Sequence, residues 1–398
     1  MEIKVLAYMR LYTTNTQSIV EIRSRHADRL QMQVCGPTVY DGLHLGHVRT
    51  FVFFDVLART LQRSGYKVDF ALNFTDIDED VFKKAKREGV SYKEISDKFY
   101  RKTLKTLSKL NIRTPTYYPR ASEYVQKSVD VVKKLTSKGL AYQLNSNIFL
   151  DYDKIVDHGL VSGLSRERLY DLRLDSYDGK KGPLDFLLWF KSDEKPYWDS
   201  PWGMGRPGWH LQDIVIANDV FKGPHDLHGG AVELVYPHHD CLECLGIAVE
   251  GTAPYVPYWV HTCVLMIEGK KMSKSEGNVI YADKILSECP PEALRAYFLS
   301  KSREEELNFK MEDLLRYKEI LGDMQGRLHN YKGVSAPSKE VQDLKDKFFE
   351  ELYSNMDTSN ALNLFFKVTD TAMREGSNLG VLSDVYQILG LEFMLLKG

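Results

Sequence analysis

The chain has 398 residues, of which 43% are hydrophobic and 27% are charged, and its formal net charge is −2. This composition is typical of a soluble globular protein of two or three domains with a sizeable core. No segment approaches the roughly 18 consecutive apolar residues of a membrane span, and Met1 to Arg10 lack a signal-peptide pattern. We therefore expect a cytoplasmic protein without a membrane partner.

The charge and the cysteines narrow the class of protein further. A net charge of −2 gives no overall signal for nucleic acid, but a local basic patch is enough to contact the phosphates of a nucleic acid. The segments 83–87 and 102–109 offer such patches, although basic residues at helical spacing usually form solvated faces. The five cysteines are odd in number and lack the spacing of a disulfide framework, which fits a reducing compartment.

The first predicted strand runs into a turn and a helix start. Leu30 to Val34 alternate like a buried strand, Cys35 to Asp41 form a glycine and proline turn, and an amphipathic helix follows from Val48 to Gln62. His44-Leu45-Gly46-His47 stands between them. The N–H groups and positive dipole end of a helix start bind phosphate, two histidines add donors, and Gly46 permits close approach. By itself, such a motif is more often just a pair of polar capping residues.

A second strand from Lys67 to Asn73 completes a βαβ unit, in which nucleotides bind at the carboxyl ends of the strands. The charged segment from Asp76 to Gly89 predicts a helix. Turn-rich sequence then interrupts the pattern between about 120 and 205. The apolar runs predict that the sheet resumes at 208–219 and continues through 232–236 and 260–267, with a helix at 237–250.

A basic loop, Lys271-Met272-Ser273-Lys274-Ser275, follows the last of these strands. Mobile lysines in such a loop can neutralise the charge that develops when an α-phosphate is attacked and pyrophosphate leaves. Taken alone, the loop would be a solvated basic turn. From residue 280 onward the spacing of apolar residues predicts helices at 293–300 and 312–331 and two or three more between 341 and 396.

Together and in this order, the two motifs resemble the signature sequences of class I aminoacyl-tRNA synthetases, and further segments resemble the cysteinyl-tRNA synthetase family in particular. The matching segments are C-G-P-T-V-Y-D at 35–41 with H-L-G-H at 44–47, N-F-T-D-I-D-E at 73–79, W-D-S-P-W-G at 198–203, G-R-P-G-W-H at 205–210, H-G-G at 228–230, P-H-H at 237–239 and K-M-S-K-S at 271–275. So many ordered segments make the resemblance specific.

The resemblance implies an α/β fold with a Rossmann-type parallel sheet as nucleotide-binding domain, an inserted connective subdomain and a C-terminal all-α helical bundle. We expect the two halves of the catalytic domain at 1–120 and 206–285, the second half carrying the basic loop. The connective insertion is expected at 121–205 and the bundle at 286–398. The family carries a further anticodon-recognising region, so the bundle is expected to be shortened at its C-terminal end.

The resemblance also implies ATP-dependent activation of cysteine as an aminoacyl-adenylate and its transfer to tRNA, with Mg²⁺ accompanying ATP. Displacement at phosphorus needs positioning and charge stabilisation, and no covalent protein nucleophile is expected. The predicted catalytic residues are His44, His47, Lys271 and Lys274. The predicted ATP-binding residues are Gly36, Thr38, Gly46, His44, His47 and Lys274.

The predicted amino-acid pocket departs from the family. Family members bind the cysteine thiol to a zinc ion held by two cysteines, a histidine and a glutamate, a soft site at which a serine hydroxyl competes poorly. Cys35 and His238 fill two of these positions, but Asp213 and Leu242 stand at the other two. Asp213 and Cys241 are the candidate replacements for a Zn²⁺ site, whereas Leu242 favours a drier pocket without metal. Cys241 is, by default, a buried small residue.

The remaining predicted pocket residues match family positions and are Thr75, Trp209, His210, His228 and Glu233. Glu233 stands where the family has an aspartate that meets the substrate amino group. Three hypotheses follow. The chain is a cysteine-tRNA ligase, or a related enzyme that activates another amino acid or uses a small-molecule acceptor, or a nucleotide- or tRNA-binding protein without activity. The presence of both signature motifs argues against the last.

Overall fold

The structure combines a parallel sheet, an antiparallel sheet and a helical C-terminal region. The computed structural model describes residues 8–172, 177–274 and 276–392. Within these ranges the strands are β1 (Arg10–Thr13), β2 (Ser18–Glu21), β3 (Arg29–Val34), β4 (Lys67–Leu72), β5 (Ala141–Leu144), β6 (Asn147–Leu150), β7 (Phe186–Lys191), β8 (Gly205–Pro207), β9 (Leu227–Ala231), β10 (Tyr258–Thr262), β11 (Leu265–Ile267), β12 (Lys270–Lys271) and β13 (Leu307–Phe309). The α-helices are α1 (Leu45–Arg63), α2 (Glu79–Glu88), α3 (Tyr92–Lys109), α4 (Val125–Ser137), α5 (Arg166–Leu172), α6 (Trp209–Phe221), α7 (Asp240–Glu250), α8 (Ala282–Glu288), α9 (Pro291–Leu299), α10 (Met311–His329), α11 (Lys339–Tyr353), α12 (Thr358–Arg374) and α13 (Ser383–Leu389).

The parallel sheet has the strand order β10-β9-β3-β4, and all three pairings are parallel. Five of the six residues of β3 are buried, as expected for a strand with both faces covered. The chain goes from β3 through α1 to β4 on one side, and later returns to pair β9 on the other side of β3. The strand order therefore reverses at β3 and β9, and open parallel sheets bind ligands at the carboxyl ends of strands at such a point.

Helix α1 is buried almost all round, with Phe51 to Phe54 among its core residues. The buried guanidinium of Arg49 donates hydrogen bonds to the carbonyl oxygens of Cys263 (2.9 Å) and Val264 (2.7 Å). These bonds fix the start of α1 against the connection between β10 and β11, which leads to the basic loop. The histidine motif at the start of α1 is thereby linked to the segment before the basic loop by hydrogen bonds from the Arg49 side chain to main-chain carbonyl groups.

Two large core clusters flank the sheet. One contains α1, β3, β4 and the C-terminal helices, and its largest side chains include Phe54, Phe348 and Phe365. The other joins the antiparallel sheet β5-β6-β7-β8 to α6 and α7 around Trp189 and Trp259. The antiparallel strands span Ala141–Pro207, close to the predicted insertion at 121–205. The boundaries of the four predicted segments themselves stay predictions.

The parallel strands β3 and β4 and the helix α1 confirm the sequence-based predictions, but the prediction that a strand spans 208–219 is wrong. That segment is helix α6, of which Leu211 to Ala217 are all buried. A helix buried on every side carries β-branched residues all round and so has the pattern of a buried strand. The strand predicted at 232–236 is also wrong, because the strand β9 ends at Ala231 and irregular helical turns follow.

The C-terminal region is helical, as predicted, and α11, α12 and α13 pack together through the apolar side chains Phe348, Phe365 and Tyr386. Residues 393–398, which the predicted last helix includes, lie outside the described residues. Among the described helices, none has the length and apolar character needed to cross a membrane.

Candidate active site

A cavity of about 380 Å³ opens where the carboxyl ends of β3, β4 and β9 meet. Twelve of the predicted site residues line it: Cys35, Gly36, Thr38, His44, Gly46, His47, Thr75, Trp209, Asp213, Glu233, His238 and Lys271. Both motif segments therefore contribute to one cavity at the point where the strand order reverses. His210, His228, Cys241 and Lys274 are placed around it rather than along its lining.

The turn after β3 lets the chain pass close to the end of β4. The N–H of Cys35 donates to the carbonyl oxygen of Gly229 (3.0 Å), which extends the pairing of β3 with β9. A Cβ on Gly36 would lie 1.7 Å from the carbonyl oxygen of Asn73, so only glycine fits there. Thr38 and Thr75 then form a short parallel bridge. This close passage sets one wall of the cavity.

His44 and His47 cap helix α1 with each other. The N–H of His47 donates to Nδ1 of His44 (3.3 Å), and the N–H of His44 donates to Nδ1 of His47 (3.4 Å). Since both Nδ1 atoms accept, each neutral ring carries its proton on Nε2. The rings stack with centroids 3.6 Å apart. Burial and the neighbouring Lys274 lower the pKa of His44 to about 4, so at neutral pH the pair offers uncharged donors.

The basic loop lies across the mouth of the cavity, where carboxylates hold its two lysines. Lys271 Nζ is 2.7 Å from Glu233 Oε1. Lys274 Nζ is 3.4 Å from Asp41 Oδ2 and 3.7 Å from the centre of the Tyr40 ring. Ser275, the last residue of the motif, lies outside the described residues.

Asp41 is shared between the loop and the following segment. The hydroxyl of Tyr281 donates to Asp41 Oδ2 at 2.6 Å, and this bond raises the pKa of Tyr281 to about 12. Although burial acts against it, hydrogen bonds from Tyr281 and from the Gly42 N–H lower the pKa of Asp41. Asp41 is therefore a stable carboxylate anchor for Lys274.

The inner end of the cavity contains a compact group of three possible metal ligands. Asp213 Oδ2 lies 3.4 Å from Cys35 Sγ and 2.9 Å from His238 Nε2. The three donor atoms lie within 4.8 Å of one another, and all three residues are buried. The amide of Asn73 donates to Asp213 Oδ1 (2.8 Å), which fixes the orientation of the carboxylate.

Four further histidines surround this group. His210 Nδ1 lies 2.8 Å from His238 Nδ1. The Nε2 atoms of His228 and His239 lie 3.5 Å and 3.3 Å from Cys35 Sγ, which makes a second group of possible ligands that shares the cysteine. Behind these two, His225 Nε2 is 3.0 Å from His228 Nδ1. Burial lowers the pKa of His210, His225, His228 and His239 and raises that of the Cys35 thiol.

The donors present fit a zinc ion of the catalytic type. Such sites use three protein ligands and keep a fourth position for water or substrate, and Cys35, Asp213 and His238 supply sulfur, oxygen and nitrogen that converge beside the cavity. Leu242 is buried in the neighbouring core and offers no donor. Cys241 lines an adjacent cavity with Trp209 and His210 and stands outside both groups of possible ligands among the described residues, so its role stays a prediction.

Trp209 closes one side of the inner end. Its ring stacks on His238 with centroids 4.0 Å apart, and the residue is 45% exposed. Several residues around the cavity were not singled out from the sequence: Tyr40, Asp41, Asn73, Met272 and Tyr281. Tyr40, Asp41, Asn73 and Met272 belong to family-like segments, which is the signal that could have found them. Nothing in the sequence marks Tyr281.

Comparisons with known proteins agree with this geometry. Residues 21–319 match the family model described as the tRNA synthetases class I (C) catalytic domain. The cysteine–tRNA ligase of Thermococcus onnurineus is 35% identical over 382 residues, which cover 92% of this chain and 80% of that protein. The cysteine–tRNA ligase of Thermoplasma acidophilum is 33% identical over 354 residues, which cover 88% of this chain and 78% of that protein.

Solved structures show the same fold at low identity. Mycobacterium tuberculosis methionyl-tRNA synthetase in complex with methionyl-adenylate has a TM-score of 0.64 and 13% identity, and the match covers 92% of this chain and 89% of that one. Agrobacterium radiobacter leucyl-tRNA synthetase, in a complex with tRNA, has a TM-score of 0.62 and 11% identity. That match covers 93% of this chain and 82% of the other. The match over most of the sequence, together with the placement of both motifs at one cavity, shows that this chain belongs to the class I cysteinyl-tRNA synthetase family.

Proposed function

We propose that this chain activates cysteine with ATP and transfers the cysteinyl group to tRNA, as the names of its relatives indicate for them. The observation that carries the proposal is a single cavity that combines two kinds of chemistry. A phosphate-binding end, with the His44–His47 pair and the basic loop, faces an inner end with Cys35, Asp213 and His238. The cytoplasmic location expected from the cysteine pattern stays a prediction.

The phosphate end supports attack of an amino-acid carboxylate on the α-phosphate. The Nε2–H groups of His44 and His47 donate to phosphate oxygens, and the capping bonds keep both protons in place. Gly46 leaves room for this approach, because a Cβ there would lie 3.1 Å from the His44 ring. Gly36 and Thr38 form the adjoining wall. Mg²⁺ bound to ATP supplies further charge neutralisation.

Lys271 and Lys274 stabilise the charge on the departing pyrophosphate. In the structure both ammonium groups are held by carboxylates, Glu233 and Asp41, at the mouth of the cavity. Triphosphate carries more negative charge than these carboxylates, so bound ATP competes for both lysines. Once Lys271 moves, Glu233 is free to bind the α-amino group of the substrate. This exchange of partners couples nucleotide binding to amino-acid binding.

The inner end selects the side chain. Zinc would be held by Cys35, Asp213 and His238, and it would supply a soft site that stabilises the thiolate of cysteine. Asn73 orients Asp213, and His210 orients His238 through Nδ1. Trp209 stacks on His238 and limits the size of the side chain that fits. Thr75 lines the passage between this end and the phosphate end.

A second candidate, activation of a different amino acid or use of a different acceptor, is favoured by one observation. Asp213 already has partners for both oxygens within the protein, and Leu242 removes a donor, so the inner end is also satisfied without metal. Such a pocket would suit an uncharged polar side chain.

The test is ATP–pyrophosphate exchange on purified protein with each common amino acid, together with zinc analysis of the same sample and charging of tRNA. Exchange that depends on cysteine, with about one zinc per chain and formation of cysteinyl-tRNA, would support the proposal. Exchange with another amino acid in a zinc-free protein would establish the second candidate. No exchange with any amino acid would contradict both.

A further inference from the structure

A buried glutamine lies behind the inner end of the activation cavity. Gln33 is the fifth residue of β3 and is fully buried. Together with Gln31 it faces α6, because both side chains donate to main-chain carbonyl oxygens of that helix. Strands that are covered on both faces are usually continuous runs of apolar residues. A glutamine at this position therefore needs a role that an apolar residue cannot fill.

The amide of Gln33 links two groups of the inner end. Its Nε2 atom donates to the main-chain carbonyl oxygen of Asp213 and to Oδ1 of Asn73, each at 3.4 Å. The Nδ2 atom of Asn73 then donates to Oδ1 of Asp213 at 2.8 Å. These bonds form a closed ring that starts at the main chain of Asp213 and ends at its own carboxylate. We call Gln33, Asn73 and Asp213 the Gln33 ring.

The main chain sets the direction of the hydrogen bonds in the Gln33 ring. A carbonyl oxygen can only accept, so Gln33 must turn its NH2 group toward Asp213. The same NH2 group also meets Asn73, which has to present its oxygen to Gln33 and its own NH2 group to the carboxylate. An amide turned the other way would place two acceptors side by side. The Gln33 ring thus ensures that Asn73 faces Asp213 as a donor.

The second oxygen of Asp213 points at the inner end. With Oδ1 held by Asn73, Oδ2 lies 2.9 Å from His238 Nε2 and 3.4 Å from Cys35 Sγ. Asp213 is only 2% exposed, so its oxygens depend on protein groups for their hydrogen bonds. The Gln33 ring therefore fixes which oxygen of the carboxylate reaches the possible metal ligands.

Gln33 is an unfavourable residue for stability alone. Among the described residues, no donor lies within hydrogen-bond distance of its Oε1 atom. A buried polar atom without a partner raises the free energy of the folded state, and an apolar side chain at this position would avoid that cost. The bonds to Asn73 and Asp213 are what such a side chain could not provide.

We propose that Gln33 is a positioning residue that fixes the direction of the Asn73 amide and thereby turns one oxygen of Asp213 toward the inner end. The inference rests on the proposed function, since it concerns the carboxylate that would hold zinc there. It applies equally to the second candidate, in which the same carboxylate would receive a polar side chain of the substrate. In both cases Gln33 acts through Asn73 from behind the lining of the cavity.

The test reverses the direction of the Gln33 ring with one substitution. Burial keeps the carboxyl group of Gln33→Glu protonated, and this group has one hydrogen where the amide has two. The ring can then close only if Asn73 turns its oxygen toward Asp213. Gln33→Met removes the amide but leaves Asn73 able to donate, so its effect should be smaller.

Gln31→Glu and Gln31→Met are the matched controls. Gln31 is buried on the same face of β3, and its amide donates to the carbonyl oxygen of Phe221 (3.3 Å), outside the Gln33 ring. Denaturant unfolding of all four variants measures their stability, which should change by similar amounts at the two positions.

The first readout is zinc affinity, measured by competition with a chromophoric chelator. Gln33→Glu should lower it about ten- to hundredfold, the usual effect of losing an outer partner of a metal ligand, and Gln33→Met about two- to tenfold. Both variants at Gln31 should keep the affinity of the parent protein. In protein that carries Asn73→Ala, the substitution Gln33→Glu should have no further effect, since the two residues act in series.

The second readout is a crystal structure of each metal-free protein. In Gln33→Glu the distance between Asp213 Oδ2 and His238 Nε2 should lengthen from 2.9 Å to beyond about 3.5 Å. An unchanged carboxylate and unchanged zinc affinity in both Gln33 variants would overturn the proposal. Equal losses at Gln31 and Gln33, or a loss that persists with Asn73→Ala, would show that Gln33 does not act through Asn73. A parent protein without zinc would contradict the metal part of the proposed function, whereas the crystal structures would still decide whether Gln33 orients Asp213.

Discussion

The two ends of the activation cavity are built in opposite ways. At the inner end Cys35, Asp213 and His238 are between 1% and 9% exposed, and their polar atoms have buried partners. At the outer end the side chains of Lys271 and Lys274 are 52% and 41% exposed and reach across to carboxylates on other segments. The inner end is held by buried contacts, whereas the proposed function requires the lysines of the outer end to change partner when ATP binds.

This difference assigns separate tasks to the two ends. Fixed donors in a buried site give selectivity, because a wrong side chain leaves buried polar groups without partners. Exposed lysines on a loop increase the rate of activation, since they can move toward the charge that develops in the transition state. Substitutions at the outer end should therefore change the rate of activation, and substitutions at the inner end should change metal and amino-acid binding.

The largest effect is expected for Lys274→Ala. Loss of a transition-state donor costs ~3 to 4 kcal/mol, so activation should slow by several hundredfold in ATP–pyrophosphate exchange while the affinity for cysteine stays the same. Lys270→Ala removes an exposed lysine of the preceding turn and serves as the control. If Lys274→Ala remains within about tenfold of the parent protein, the outer end does not set the rate.

Substitutions at Asp213 test the inner end. Loss of a residue that merely supports a metal ligand lowers metal affinity about ten- to hundredfold. Asp213→Ala should lower zinc affinity by at least this factor. Asp213→Cys should raise it, because a thiolate is a softer ligand for zinc than a carboxylate. Competition with a chromophoric chelator measures both. Asp213→Asn preserves the shape and controls for packing. Equal zinc affinity in Asp213→Ala and the parent protein would show that the carboxylate is not a ligand.

The inner end should also be sensitive to acid. His261 is a further buried histidine behind the inner end, and its Nε2 lies 2.7 Å from His239 Nδ1. Burial lowers the pKa of His225 and of His261 to about 3, from an ordinary value of 6.5. The unfolded chain then binds protons that the folded chain does not, so stability is complete above pH 6.5 and falls as the pH drops from there toward 3. Each histidine contributes about 1.4 kcal/mol for each pH unit in that range.

Denaturant unfolding between about pH 7 and pH 5 measures this loss, and His225→Phe is the informative variant. His225 packs between the rings of Phe221 and Tyr255, so phenylalanine fits the site and removes one titrating group. The slope of the unfolding free energy against pH should become shallower by the amount that one proton contributes, about 1.4 kcal/mol per pH unit. An unchanged slope would mean that His225 is already charged in the folded protein.

The sequence predicted the outer end better than the inner end, and the reason is physical. The turn after β3 and the start of α1 are local structures, so residues 35 to 47 carry their own signals of glycine, proline and capping. The inner end joins Cys35, Asp213 and His238 from three distant segments, and only resemblance to a family brought them together. The bond from Asn73 to Asp213 has no local signal at all.

The misplaced strands show the same limit. Helix α6 presents Asp213 to the cavity, yet the prediction made this segment a strand because apolar residues surround the helix on every side. The periodicity of apolar residues shows which face of a helix or strand is buried. It cannot distinguish a helix from a strand when every face is buried. The pairs Lys271 with Glu233 and Lys274 with Asp41 were equally out of reach, since ion pairs between distant loops follow from tertiary structure alone.

The smallest effect is expected at the boundary between the two ends, for Gly46→Ala. The added Cβ would lie 3.1 Å from the His44 ring and 3.2 Å from the Met272 methyl group. Met272 can move aside because its side chain is flexible, so the unfolding free energy should change by less than about 1 kcal/mol. The methyl group would occupy space beside the histidine donors, and the KM for ATP should rise by about three- to tenfold with little change in the KM for cysteine. Gly42→Ala is the control, since its Cβ would meet only the flexible end of Lys102 and an edge of Tyr281. A rise in both KM values would show that the two ends do not act separately.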